Sequence, residues 1–144
     1  MTNPTKPAGA PTRAQPESFR ARQLGVSITA NDFEKSLKWY TDVVGFTLER
    51  KYERDGKVVG ATLKAGDVGI VLNQDDGAKG KDRAKGLGMS MQITTAQSVD
   101  DVAARIKAAG GTLDAEPADM PWGARIFRLT DPDGFKIVIS SERA

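Results

Sequence analysis

The order of elements in this chain repeats. "GVSITAN" begins at residue 25 and "GMSMQIT" at residue 88, 63 positions later, and both alternate small polar with apolar residues. Each is followed by a helical pattern and then by three strand-like segments. A five-element order that recurs is much harder to obtain by chance than any single motif, and it predicts two copies of one β-α-β-β-β unit. The expected fold class is α+β, built of paired β-α-β-β-β modules.

Within module one, residues 24–74, Gly25, Ser27 and Thr29 point to one strand face, and Val26, Ile28 and Ala30 to the other. "NDFE" offers a capping box, with Asn31 accepting from the first turn and Glu34 reaching back. Phe33, Leu37, Tyr40 and Val44 make one apolar helical stripe, and Gly45 is placed to end it left-handed. "FTLERKYER", "KVVGATLKA" and "VGIVLNQ" read as strands, with Asp55-Gly56 and Gly66-Asp67 as tight turns. In module two, residues 87–141, Ser98 and Asp101 cap a helix whose stripe is Val99, Val102, Ile106 and Ala109. "TLDAEPA" is a weak strand broken by Pro117. "ARIFRLT" and "FKIVISS" form a hairpin around "DPDG", where Asp131 and Asp133 read as turn residues bonding to nearby amides. The helices are expected near 31–44 and 98–109. Residues 75–86, "DDGAKGKDRAKG", have no hydrophobic period and read as an exposed linker; their spacing does not match a phosphate-binding loop.

At 144 residues, one domain over 23–144 is long enough to bury a core. Residues 1–22, rich in proline, alanine and polar residues and without the apolar stretch of a secretory signal, read as a flexible tail. The 21 basic and 19 acidic residues are well mixed, so no basic face argues for nucleic acid. No run approaches the roughly 20 apolar residues of a membrane span, and a cytoplasmic location is expected by default. The absence of cysteine and histidine excludes disulfides, zinc thiolates, thiol nucleophiles and histidine bases, and no catalytic constellation is visible.

"DFEKSLKWYTDVVGF", "DDVAARIKAAGG" and "PWGARIFRLTDPDGFKIVIS" resemble the vicinal oxygen chelate superfamily, which includes glyoxalase I, extradiol dioxygenases, fosfomycin-resistance enzymes and bleomycin-resistance proteins. The resemblance covers about residues 24 to 141. It implies that the paired modules form a cup-shaped, mostly antiparallel sheet, its strands curled into an open cup with apolar faces against the helices. Enzymes of the family commonly bind one divalent metal through the first and last strand of each module. Carried onto this chain, those positions fall at Gly25, Val71, Gly88 and Val138, none of which has a side-chain donor. No metal or other cofactor is therefore expected.

What remains is a concave, partly apolar cavity suited to a small organic ligand. Its expected lining is Ser27, Thr29, Val71, Ser90, Gln92 and Val138, with Arg128 facing inward to meet an anionic group and Trp122 on a rim loop to stack on a flat one. Arg128 reads equally well as a solvated or ion-paired arginine, and Trp122 as a cover over the core edge. Trp39 and Tyr40 read as core or interface residues, and Met89 and Met91 as helix-side packing. The resemblance further implies a homodimer. The leading reading is a metal-free, drug- or metabolite-sequestering protein. The alternatives are an enzyme of lyase, isomerase or dioxygenase type, either metal-free or using metal ligands from unexpected positions such as Glu49 or Asp114, and a regulatory or structural module with an empty cup.

Overall fold

The computed structural model describes residues 19–80 and 83–143. Most of the expected tail lies outside them; residues 19–25 carry no regular secondary structure. Module one comprises β1 (Val26–Ala30), a helix, β2 (Thr47–Arg54), β3 (Lys57–Ala65) and β4 (Val68–Gln74). Module two comprises β5 (Ser90–Thr95), α2 (Val99–Ala108), β6 (Ala115–Asp119), β7 (Arg125–Thr130) and β8 (Lys136–Ser141). Each module makes a four-stranded sheet, ordered β1-β4-β3-β2 and β5-β8-β7-β6. The β1–β4 and β5–β8 pairs are parallel and the other pairs antiparallel. Among the described residues no helix is long and apolar enough to cross a membrane.

Three local expectations shift. The cap of the first helix is Asp32, not Asn31: its carboxylate accepts from the Lys35 N–H at 3.2 Å. The α-helix α1 then covers only Phe33–Lys38 and widens into a π-helical turn over Trp39–Val44. There the Thr41 hydroxyl donates to the Leu37 carbonyl, a back-bond that competes with the helix ladder. Gly45 ends the turn at φ 106° as its position suggested. Pro117 does not break β6, because β6 is an edge strand whose pairing slips between Ala115 and Ala118; a missing N–H is tolerated at such a place.

The modules pack through their helix-bearing faces. Ile28, Leu63 and Leu72 from the first sheet, Tyr40 and Ile106 from the helices, and Phe127 from the second sheet belong to one continuous core. Burying each such side chain is worth about 1.5–3 kcal/mol. Met91 joins that core, whereas Met89 precedes β5 and is 45% exposed, so only one of the two methionines packs as expected.

Polar side chains lock this packing. Asp131, in the β7–β8 turn, accepts from the backbone N–H groups of Asp133 and Phe135, as a turn aspartate should. Its second oxygen accepts from the Tyr40 hydroxyl of module one at 2.8 Å. Burial, followed by the neighbouring Asp131 charge, holds that hydroxyl protonated far above its usual range. Asp133 likewise reaches module one, accepting from the Asn31 N–H and the Ser36 hydroxyl. Asn31, freed from capping, accepts from the Lys85 ammonium at 2.7 Å.

The 75–86 segment is consequently not a solvated linker at its ends. Lys85 and Asp75 form an ion pair at 2.9 Å, with their side chains 3% and 6% exposed. Gly86 lies so close to the β7–β8 turn that a Cβ there would sit 2.4 Å from the Gly134 carbonyl oxygen. The Lys85 hydrogen bond, helped by the Gly77 N–H, draws the Asp75 carboxyl down from 3.8 to about 2. Because the folded value is the lower one, this pair stabilises the fold above about pH 4 and stops doing so as the pH falls toward 2. The destabilisation caused by Lys85→Gln, measured by urea unfolding, should be full near neutral pH and shrink across that acid window. A difference independent of pH would mean that the pair contributes nothing.

Candidate functional site

The outward face of the second sheet carries a cavity of about 550 Å³. Its wall follows from strand registry. Gln92 and Arg128 flank Val138, while Ser90 and Thr130 flank Lys136, so side chains two residues apart on β5, β7 and β8 share one face. Ile126 and Val138, buried together with Ala124, supply the apolar patch. Above it, the Met120 N–H donates to the Ala124 carbonyl and the Gly123 N–H to that of Met120, a tight turn that presents Trp122 at 51% exposure. Arg125 braces this rim, with two hydrogen bonds to Asp100 at the start of α2 and one to Asp119 of β6. The same guanidinium lowers the Asp100 carboxyl below its ordinary range.

The cavity is electrostatically one-sided. Arg128 and Lys136 both line it, and neither side chain has a hydrogen-bond or ion-pair partner among the described residues. They stand diagonally on neighbouring antiparallel strands, a spacing of roughly 7–8 Å between backbones. The only carboxylate in the lining is Asp114, which accepts a short hydrogen bond from the Thr130 hydroxyl. A cavity with two unpaired cations, one engaged carboxylate and an apolar floor favours an anion with a flat or apolar body.

Of the residues singled out from sequence, Ser90, Gln92, Trp122, Arg128 and Val138 line this one cavity, and Ser27, Thr29 and Val71 do not. Those three share the outward face of the first sheet, where Ser27 pairs with Val71 and its hydroxyl accepts from the Asn73 amide at 3.0 Å. Asn73 fills the space above Gly60: a Cβ there would lie 2.8 Å from the Asn73 Oδ1. Sequence reasoning missed Lys136, Ser140 and Ile126. The signal was present, since Lys136 and Ser140 each stand two residues from Val138 on one strand.

The ladders also refine the metal positions. Ile70 pairs with Val26 and its repeat partner Ile137 with Met91, so the residues just before Val26 and Met91, Gly25 and Ser90, correspond. Gly88, the position expected from the repeat spacing, instead lies ahead of β5 at φ 74°. The set becomes Gly25, Val71, Ser90 and Val138, whose single donor is a neutral hydroxyl. Glu49 lies on β2 outside the cavity, and among the described residues no three histidine, cysteine, aspartate or glutamate side chains gather to hold a metal. These residues do not fit the metal that the family's enzymes commonly carry.

The doubled modules, their parallel β1–β4 and β5–β8 pairs and the matched residues identify the family. Residues 22–139 match the model of the Glyoxalase/Bleomycin resistance protein/Dioxygenase superfamily. The chain belongs to this superfamily. It is 34% identical over 125 residues to a protein of Vibrio cholerae named "Probable lactoylglutathione lyase", covering 81% of this chain and 87% of that one. A Synechocystis protein of the same name is 29% identical over 121 residues, covering 79% and 90%. Among solved structures, TioX from Micromonospora sp. ML1 superimposes with a TM-score of 0.66 at 21% identity, covering 84% of this chain and 98% of that one, a likeness of fold.

The donor set predicts that zinc or nickel ions at micromolar concentration leave the melting temperature unchanged in a thermal-shift assay. A saturable rise at one metal per chain would contradict it.

Proposed function

We propose that this superfamily member is a metal-free binding protein that sequesters a small, flat organic anion in the module-two cavity. The observation that carries the proposal is the pairing of unpartnered Arg128 and Lys136 with the Ile126–Val138 patch, under a half-exposed Trp122. In this reading Arg128 and Lys136 meet the anionic end, Ser90 and Gln92 orient the ligand by hydrogen bonds, and Trp122 stacks on its flat face. Each neutral hydrogen bond contributes about 1 kcal/mol and each charged one about 1.5–3 kcal/mol. Ser27, Thr29 and Val71 belong to the site only if a second chain brings its first sheet over the cavity.

A second reading is favoured by the relatives' names: an enzyme of lyase type. Asp114 is the one carboxylate placed to move a proton in the cavity, and the Thr130 hydroxyl bonded to it would fix its orientation. The two readings part on turnover. Under the binding reading, the metal-free protein shows no lactoylglutathione lyase activity, and activity lost in Asp114→Asn would establish the enzyme instead.

A thermal-shift screen of aromatic carboxylates and phosphates should find ligands that raise the melting temperature by mass action. For a hit, Arg128→Ala and Lys136→Ala should each weaken binding by about tenfold or more, and Trp122→Ala by a few-fold. Unchanged affinity in all three variants would move the site elsewhere.

We further infer a symmetric homodimer. β2 is an edge strand exposed along its whole length, and β6 is the edge of the second sheet; a two-fold copy is the commonest way to cover such surfaces. Light scattering at micromolar concentration should give twice the 15.4 kDa chain mass, and a monomer throughout would overturn the inference.

A further inference from the structure

The doubled fold has two junctions between its modules, and they are built differently. At one, the Asp131–Phe135 turn reaches the start of the first helix and fastens to Asn31, Ser36 and Tyr40. At the corresponding place in the other half, the β3–β4 connection is only Gly66–Asp67, three residues shorter. It lines one cavity with Gln97, just ahead of α2, and with Val102 and Arg105 of that helix, and Asp67 makes no side-chain hydrogen bond or ion pair among the described residues. The shorter turn leaves a cavity of about 440 Å³ where the longer one makes contacts.

This cavity has a floor and a charge. Phe46, Val102 and Ile139, all buried in the shared core, form the apolar side, and Thr94 and Gln97 stand on the polar side. Arg105 of α2 lies across it, against Gly45: a Cβ at Gly45 would sit 3.0 Å from the Arg105 Nη2. The glycine that ends the first helix thus also makes room for the guanidinium. The Arg105 side chain has no hydrogen-bond or ion-pair partner among the described residues, so its planar donors remain available.

We propose that this junction cavity is a second ligand site, taking a small organic monocarboxylate with an apolar body. The carboxylate meets the Arg105 guanidinium in the two-bond geometry the pair favours, and the body covers Phe46, Val102 and Ile139. Asp67 at the same cavity disfavours a second negative charge, which separates this site from the cavity holding Arg128 and Lys136. The proposal stands on different residues from that site and does not depend on its function.

The test is an amide NMR titration of the full chain with hydrocinnamate, and with its neutral alcohol as control. Saturable shifts at Gly45, Phe46 and Thr95 are expected, weakened by about tenfold or more for the alcohol and in Arg105→Gln, and retained in Arg128→Gln. Arg105 is exposed and unpaired, so the variant should keep the parent spectrum; Arg105→Lys, which keeps the charge but not the fork, should fall between the two. Shifts confined to Gln92 and Ser140 would overturn the proposal, as would equal binding of the alcohol, undiminished binding in Arg105→Gln, or no shift at millimolar hydrocinnamate.

Discussion

The hydrogen bond from the Tyr40 hydroxyl to Asp131 joins the two halves of this protein at the centre of its core. Tyr40 is 0% exposed, and leaving its hydroxyl without an acceptor would cost about 1–3 kcal/mol. Asp131, 5% exposed, has its other oxygen filled by the Asp133 and Phe135 N–H groups. A buried carboxylate is tolerable only with such donors, and burial still pushes its pKa upward. The ring is also held edge-on by Trp39 at 4.9 Å and Phe46 at 5.6 Å. The DPDG turn therefore closes a hairpin and docks one module on the other, and the second sheet takes its place relative to the first helix through it.

The remaining contacts follow from that docking. Asp133 reaches Asn31 and Ser36, Lys85 reaches Asn31 and Asp75, and Gly86 lies against Gly134. These residues come from the β1–α1 stretch, the inter-module segment and the β7–β8 turn, so one polar cluster fixes three separate chain segments. Two copies of one unit need not be used alike. In the first sheet Asn73 and Ser27 satisfy each other on the outward face, whereas in the second Arg128 and Lys136 are left unpaired above an apolar patch.

Family membership and the donors at the four positions are separate observations. The superfamily match and the 34% identity to a protein named as a probable lyase describe ancestry. The residues at the four positions describe what this chain can hold, and glycine, valine, serine and valine give a divalent cation no charged or imidazole ligand. A fold can keep its cup while its chemistry changes, because the sheet depends on inward-facing residues such as Leu72 and Ile137 and the site on outward ones.

Sequence by itself determined what depends on local periodicity. The alternation in "GVSITAN" and "GMSMQIT", the helical stripes, the cap at Ser98 and the left-handed Gly45 each involve residues a few positions apart, so the pattern specifies the element. The doubling extended that to the fold, and the period of two placed Ser90, Gln92, Arg128 and Val138 on one face. Tertiary structure alone decided which outward side chains find partners, because that turns on contacts such as Asn73 with Ser27 across strands far apart in sequence. It moved the cap from Asn31 to Asp32, since Asn31 is occupied by Lys85, 54 residues away. It buried the ends of a segment that reads as solvated, because the apolar period carries no information about an ion pair such as Asp75 with Lys85. And it set the parallel ladders that place Ser90 beside Lys136, a registry fixed by packing across the sheet and invisible in the spacing of either strand.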